Sequence, residues 1–155
     1  MLIMENISKN ITFENWTNYK GKEFFKVENI PTEEQITNGK LIAKNIFEKL
    51  ITQFGEVITI ENGFLNSELN NKILIGLNFE NGDALKISSS KSGDIFNYIK
   101  DNLEFDTLVW FCGSKNNPQY IYVSYNSENK KQILRTQYNK ELKKMEYIDY
   151  EQGTI

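Results

Sequence analysis

The chain has 155 residues, 39% of them apolar and 13% aromatic, which suits one globular domain with a buried core and disfavours a disordered segment. Formal net charge is −3, Arg135 is the only arginine and no basic block occurs, so nucleic-acid binding is disfavoured as a main role. Cys112 is the only cysteine and histidine is absent, which excludes an internal disulfide and a thiolate zinc site.

Residues 1–10 carry Glu5 and Lys9 and no long apolar stretch, so neither a signal peptide nor a membrane span is expected there. Residues 11–29 alternate loosely through Phe13, Trp16, Tyr19, Phe24, Phe25 and Val27, predicting irregular or short extended pieces packed on a core. Pro31 and Thr32 then precede Glu33, Glu34 and Gln35, a capping-box pattern with Thr32 as N-cap. Ile36, Ala43, Ile46, Phe47, Leu50 and Phe54 form a helical stripe that ends at Gly55, predicting a helix of roughly 33 Å over 33–54.

Residues 57–60 read as a short strand, 63–71 as a turn with a short helical piece, and 84–88 as a strand. Residues 94–102 predict a short helix, capped by Asp94 and apolar at Ile95, Phe96 and Ile99. Strands follow at 108–112, 119–125, 132–137 and 144–150. Pro118 sits before the second of these, and 126–130 reads as a hairpin connection between the second and third. Cys112 ends an apolar run and is expected as a small buried hydrophobe. The reading is a single α+β domain over 1–155 with an antiparallel sheet, one long helix and one or two short ones.

Several segments together resemble a known family. Asn29-Ile30-Pro31-Thr32-Glu33-Glu34-Gln35 leads into the long helix, followed by Gly55, the 57–60 run and Asn62-Gly63-Phe64-Leu65-Asn66-Ser67-Glu68-Leu69-Asn70. Later come Asn102-Leu103-x-Phe105-Asp106-x-Leu108, Trp110 and Tyr120-Ile121-Tyr122-Val123-Ser124-Tyr125. Their order and spacing are similar to those of the zinc D-alanyl-D-alanine carboxypeptidases of the hedgehog/DD-peptidase fold, especially phage-encoded members. The resemblance spans 29–137, with 1–28 and 138–155 as extensions packed on it.

That family holds zinc with a histidine and an aspartate from an "S-x-H-x-x-G-x-A-x-D" strand and a histidine from a "W-V-H-V-S-Y" strand. A glutamate after the tryptophan of the preceding strand serves as general base, and an arginine in an "SGYRS" turn binds substrate. The resemblance puts Phe79 and Lys86 at the first two ligand positions, Tyr122 at the third, Phe111 at the base and Leu65 at the arginine. A phenyl ring has no donor for zinc and a lysine cation repels it.

The resemblance therefore implies a pseudoenzyme with no catalytic residue, no bound metal and no cofactor. Phe79, Phe111 and Tyr122 are expected to point into the vacated space and fill it. Glu61, Glu68, Glu80 and Asp83 could hold a hard cation, but their spacing reads better as solvated loop carboxylates. A Ser–Lys pair among Ser88–Ser90, Ser92, Lys86 and Lys91 has no histidine base to support it.

The expected role is a structural or interaction protein with protein partners, and no nucleic acid or membrane. The family's abundance in phages, with a composition rich in Asn, Lys and Ile, suggests a virion component such as a capsid decoration or tail-associated protein. Its expected location is the virion if phage-encoded and the cytoplasm otherwise. The alternative is a peptidoglycan- or peptide-binding module without hydrolysis.

Overall fold

The computed structural model describes residues 5–55, 57–73 and 76–151. Parts of the two terminal extensions, 1–4 and 152–155, thus lie outside the described residues. No described helix is long and apolar enough to cross a membrane.

The long helix begins as its chemistry dictates. Thr32 Oγ1 accepts the Gln35 N–H at 3.2 Å while Gln35 Oε1 accepts the Thr32 N–H at 2.7 Å, so each residue satisfies a donor that the first helical turn leaves open. Glu33 and Glu34 add negative charge where the helix dipole favours it. Helix α3 (Glu33–Ile42) runs through a π-helical turn (Ala43–Phe47) into α4 (Glu48–Phe54). Ile42, Ala43, Ile46, Phe47 and Leu50 are buried along it. Gly55 closes it at φ 83°, a conformation that side chains with a Cβ rarely adopt, and its N–H reaches Ile51 O at 2.8 Å.

The segment before this helix is helical, not extended. Helices α1 (Phe13–Thr17) and α2 (Lys22–Phe25) form there, the first because Thr12 Oγ1 accepts the Asn15 N–H at 3.0 Å. An N-cap outweighs the weak alternation of the aromatics. The stretch read as an extension also supplies Ile7, Ile11 and Trp16 to the main core cluster, beside the long helix.

Beyond it lie β1 (Thr59–Asn62), α5 (Ser67–Ile73), β2 (Ala84–Ser88) and α6 (Ser92–Asn102). Four strands follow: β3 (Thr107–Phe111), β4 (Tyr120–Ser124), β5 (Gln132–Asn139) and β6 (Lys144–Asp149). Ile95, Phe96 and Ile99 of α6 are buried as their spacing requires. Its N-cap, however, is Lys91 rather than Asp94. Asn117 Oδ1 accepts the Gly93 N–H at 3.0 Å instead, a cap from 24 residues away that local sequence cannot disclose.

The described sheet has six strands in the order β1-β2-β4-β3-β5-β6. It is mixed rather than antiparallel, because β3 and β5 pair in parallel, Leu108 opposite Ile133 and Val109 opposite Leu134. The expected hairpin over 126–130 does not form. Strand β4 already occupies one edge of β3, so the chain crosses the start of β3 to reach its other edge. Asp106 anchors that crossing: its Oδ1 accepts the Lys130 N–H at 3.2 Å and its carbonyl accepts the Gln132 N–H at 2.9 Å. The true hairpin joins β5 to β6.

Alternation along the strands separates two layers. Leu85, Ile87, Leu108, Trp110, Ile121 and Val123 pack in the main cluster with the long helix and α6. Ala84, Val109 and Tyr122 face the other way into a second cluster. Cys112 follows β3 at φ 54° and is half-exposed, which corrects its expected burial. The strand turns away there, and Thr136 Oγ1 takes the Cys112 N–H at 2.8 Å.

Candidate functional site

All five singled-out positions lie on or beside the second face of the sheet, in two groups. Leu65, Phe79 and Tyr122 are packed together with Tyr19, Leu69, Ala84 and Val109. Their exposures are 0%, 1% and 5%, and the Phe79 and Tyr122 rings meet edge to face at 5.3 Å, a favourable geometry for two quadrupoles. These three side chains fill the space between sheet and loops.

The loops are held by amides and backbone. Asn29 Nδ2 donates to Thr17 O and Phe64 O at 2.8 and 2.7 Å, and its Oδ1 accepts the Asn66 N–H at 2.8 Å. Asn66 Oδ1 starts α5 by accepting the Leu69 N–H at 2.9 Å, and Asn70 Oδ1 accepts the Phe79 N–H at 2.8 Å. The Tyr122 hydroxyl donates to Asn78 O at 2.7 Å, so the one polar atom in the filling is satisfied. Burial, reinforced by the negative charge of Asp83, holds that phenol well above its ordinary value.

Phe111, expected in the filling with Phe79 and Tyr122, is absent from that cluster and only half-buried; it stands with Lys86 in a second group. Lys86 pairs across the strands with Tyr122, and Phe111 with Tyr120. The Lys86 ammonium lies 4.1 Å from the Tyr120 ring centroid and 5.4 Å from that of Phe111, so two half-buried rings replace part of its lost hydration. Phe111 also stands 6.4 Å from Tyr147, whose phenol is pushed up to about 12 by burial and by Cys112. The alternation of Tyr120 with Tyr122 on a strand opposite Lys86 was the available signal for this contact. Sequence reasoning passed over Tyr120 because the resemblance pointed only at Tyr122.

Burial lowers the Lys86 pKa below the ordinary 10.5, Glu61 opposes that shift and Lys20 adds to it. The Lys86 titration midpoint, followed by side-chain NMR, is therefore expected below 10.5. Glu61→Gln should lower it further, because Glu61 favours the charged form; an upward movement would contradict this electrostatic account.

The other sequence candidates do not gather. Glu61 accepts from Ser88 Oγ at 2.7 Å and meets Lys20 at 3.7 Å. Ser92 Oγ donates to Pro118 O at 2.7 Å and Ser89 Oγ accepts the Lys91 N–H at 3.0 Å. Among the described residues no group of three acidic or thiol side chains is placed to hold a metal ion.

A feature that no motif announced is a cleft of about 550 Å³ where α3 meets the turn before β2 and the end of β4. Glu34, Asn38, Asp83, Tyr125, Asn126 and Asn129 are among its walls. Asp83 is partly buried there, and desolvation raises its carboxyl pKa above the ordinary value for an aspartate. The residues of this cleft come from segments more than 40 positions apart, joined by the Tyr125 N–H to Asp83 O bond of 2.9 Å and the Asn38 Nδ2 to Asn81 O bond of 2.9 Å.

No family model matches the chain, and no curated protein matches it.

Proposed function

We propose that the chain is a non-catalytic structural or interaction protein built on a hedgehog/DD-peptidase-like scaffold, with the former active-site space packed shut. The observation that carries this reading is the closed filling of Leu65, Phe79 and Tyr122, at 0%, 1% and 5% exposure. A hydrolytic site needs a concave, water-accessible position beside its ligands, and side chains occupy that volume here. Lys86, held against Tyr120 and Phe111, adds a cation where a metal would need an acid.

The phage-type pattern of the segments over 29–137 extends the proposal to a virion component with protein partners, such as a capsid decoration or tail-associated protein. That step rests on the resemblance alone.

The test is direct. Purified protein incubated with zinc and a muramyl pentapeptide ending in D-Ala-D-Ala is expected to release no D-alanine and to retain no stoichiometric zinc. Release of D-alanine would overturn the reading. For the virion assignment, mass spectrometry of gradient-purified particles from the source should find the chain among the particle proteins; its absence there would overturn that assignment.

A further inference from the structure

The cleft between α3 and the end of β4 shares no wall residue with the aromatic filling, and its chemistry is of a different kind. Its hydrogen-bonding groups are sorted by hand-offs to the backbone. Asn126 Oδ1 accepts the N–H groups of Glu128 and Asn129 at 2.9 and 3.1 Å, and Asn129 Oδ1 accepts the Asn126 N–H at 3.0 Å. Asn126 Oδ1 thus has both lone pairs engaged and Asn126 offers only its Nδ2 donors, whereas Asn129 keeps one Oδ1 lone pair beside its Nδ2 donors. Asn38 differs: one of its two Nδ2 hydrogens goes to Asn81 O, which leaves its Oδ1 acceptor and one N–H donor.

The wall formed by α3 and the turn before β2 is therefore rich in acceptors, namely Asn38 Oδ1 and the carboxylates of Glu34 and Asp83, with one Asn38 N–H among them. The opposite wall is rich in amide donors from Asn126 and Asn129, with one Asn129 Oδ1 lone pair and the Tyr125 hydroxyl beside them. The half-buried Tyr125 ring and the exposed Leu41 side chain supply apolar surface between the walls.

A ligand suited to both walls must donate to one and accept from the other. An anion would meet two carboxylates, and a cation would face the amide N–H groups. Hydroxyl groups do both jobs, and the C–H face of a sugar ring packs on an aromatic ring or an alkyl chain. We propose that this cleft binds a neutral oligosaccharide, held by hydroxyls bridging the Glu34, Asn38 and Asp83 acceptors to the Asn126 and Asn129 donors with a ring face on Tyr125. Its volume falls in the range of roughly 300–1,000 Å³ typical of small-molecule sites. Desolvation of Asp83 strengthens hydrogen bonds made to its carboxylate. This binding is independent of the filled face and would hold whether or not that face proves inert.

The experiment is an NMR titration of the ¹⁵N-labelled full chain with cellotriose, maltotriose and tri-N-acetylchitotriose, each to about 10 mM so that millimolar affinity is visible. At least one trisaccharide is expected to give saturable shifts confined to the amides of residues 34–41, 81–83 and 125–129. Asp83→Asn and the exposed Glu34→Gln should each weaken that binding about tenfold, the loss expected for a charge-assisted hydrogen bond. The dispersion of each variant's own spectrum separates this loss from unfolding. The inference is overturned if none of the three moves these amides, if shifts fall elsewhere, or if both variants bind as tightly as the parent. It also fails if a tri-lysine peptide binds the cleft while the saccharides do not.

Discussion

Phe79→Ala is expected to cost about 3–5 kcal/mol of folding stability, the range for truncating a fully buried phenylalanine, measured by urea denaturation. The ring is 1% exposed, packs edge to face on Tyr122 at 5.3 Å and shares its cluster with Leu65 and Leu69. Its removal deletes apolar contacts and leaves a void between sheet and loops that the Asn29 and Asn66 clamps keep from collapsing. Tyr122→Phe is expected to be milder, at about 1 kcal/mol, because it keeps the buried ring and removes only the hydroxyl's hydrogen bonding, chiefly the bond to Asn78 O. An open aromatic groove predicts otherwise: there Phe79 would gain little from its neighbours and the alanine variant would lose less than about 1 kcal/mol. That outcome would remove the main support for the proposed closed filling.

Trp16→Ala is expected to cost a similar amount, about 3–5 kcal/mol, although Trp16 belongs to the segment that reads as peripheral. The indole is fully buried, and its neighbours are Gly39 of α3 and Gly63 after β1. The Phe64 N–H donates to Trp16 O at 2.8 Å and the two rings lie 5.4 Å apart. A Cβ at Gly39 would stand 2.5 Å from Trp16 Cζ2 and 2.8 Å from Cε2, closer than two carbons can approach. Gly→Ala within a helix ordinarily stabilises by about 1 kcal/mol. Here the sign should reverse, to a loss of about 1–3 kcal/mol from overpacking. In a Trp16→Leu background the overlap is gone and Gly39→Ala should become neutral or favourable. Additive costs across this double-mutant cycle would refute the proposed contact.

These two sites mark where sequence reading succeeds and where it stops. Trp16 was visible only as one aromatic among several in a loosely alternating stretch. Its importance comes from two glycines 23 and 47 residues away, and nothing local to Trp16 indicates them. In the sequence, only the resemblance marks Phe79 and Tyr122. Their burial follows from the strand alternation that sets Tyr122 on the same face as Ala84 and Val109, and from the loop that brings Phe79 across it. The resemblance marks Lys86 as well, yet its contact with Tyr120 depends on the β2–β4 pairing.

The long helix, its Thr32–Gln35 box and its Gly55 stop are local chemistry, and so are β2 and the apolar face of α6. Each depends on residues within a turn or two of one another, so the amino-acid order alone dictates them. The absence of histidine is equally a property of the chain, and it removes imidazole chemistry from every position at once. The parallel pairing of β5 with β3 was decided only in three dimensions. With one edge of β3 taken by β4, and Asp106 holding the crossing chain, the hairpin that the turn residues suggested has no place to form. The filled face and the two-walled cleft belong to the same category. Each gathers side chains from segments far apart in the chain, and their chemistry exists only once the sheet has brought those segments together.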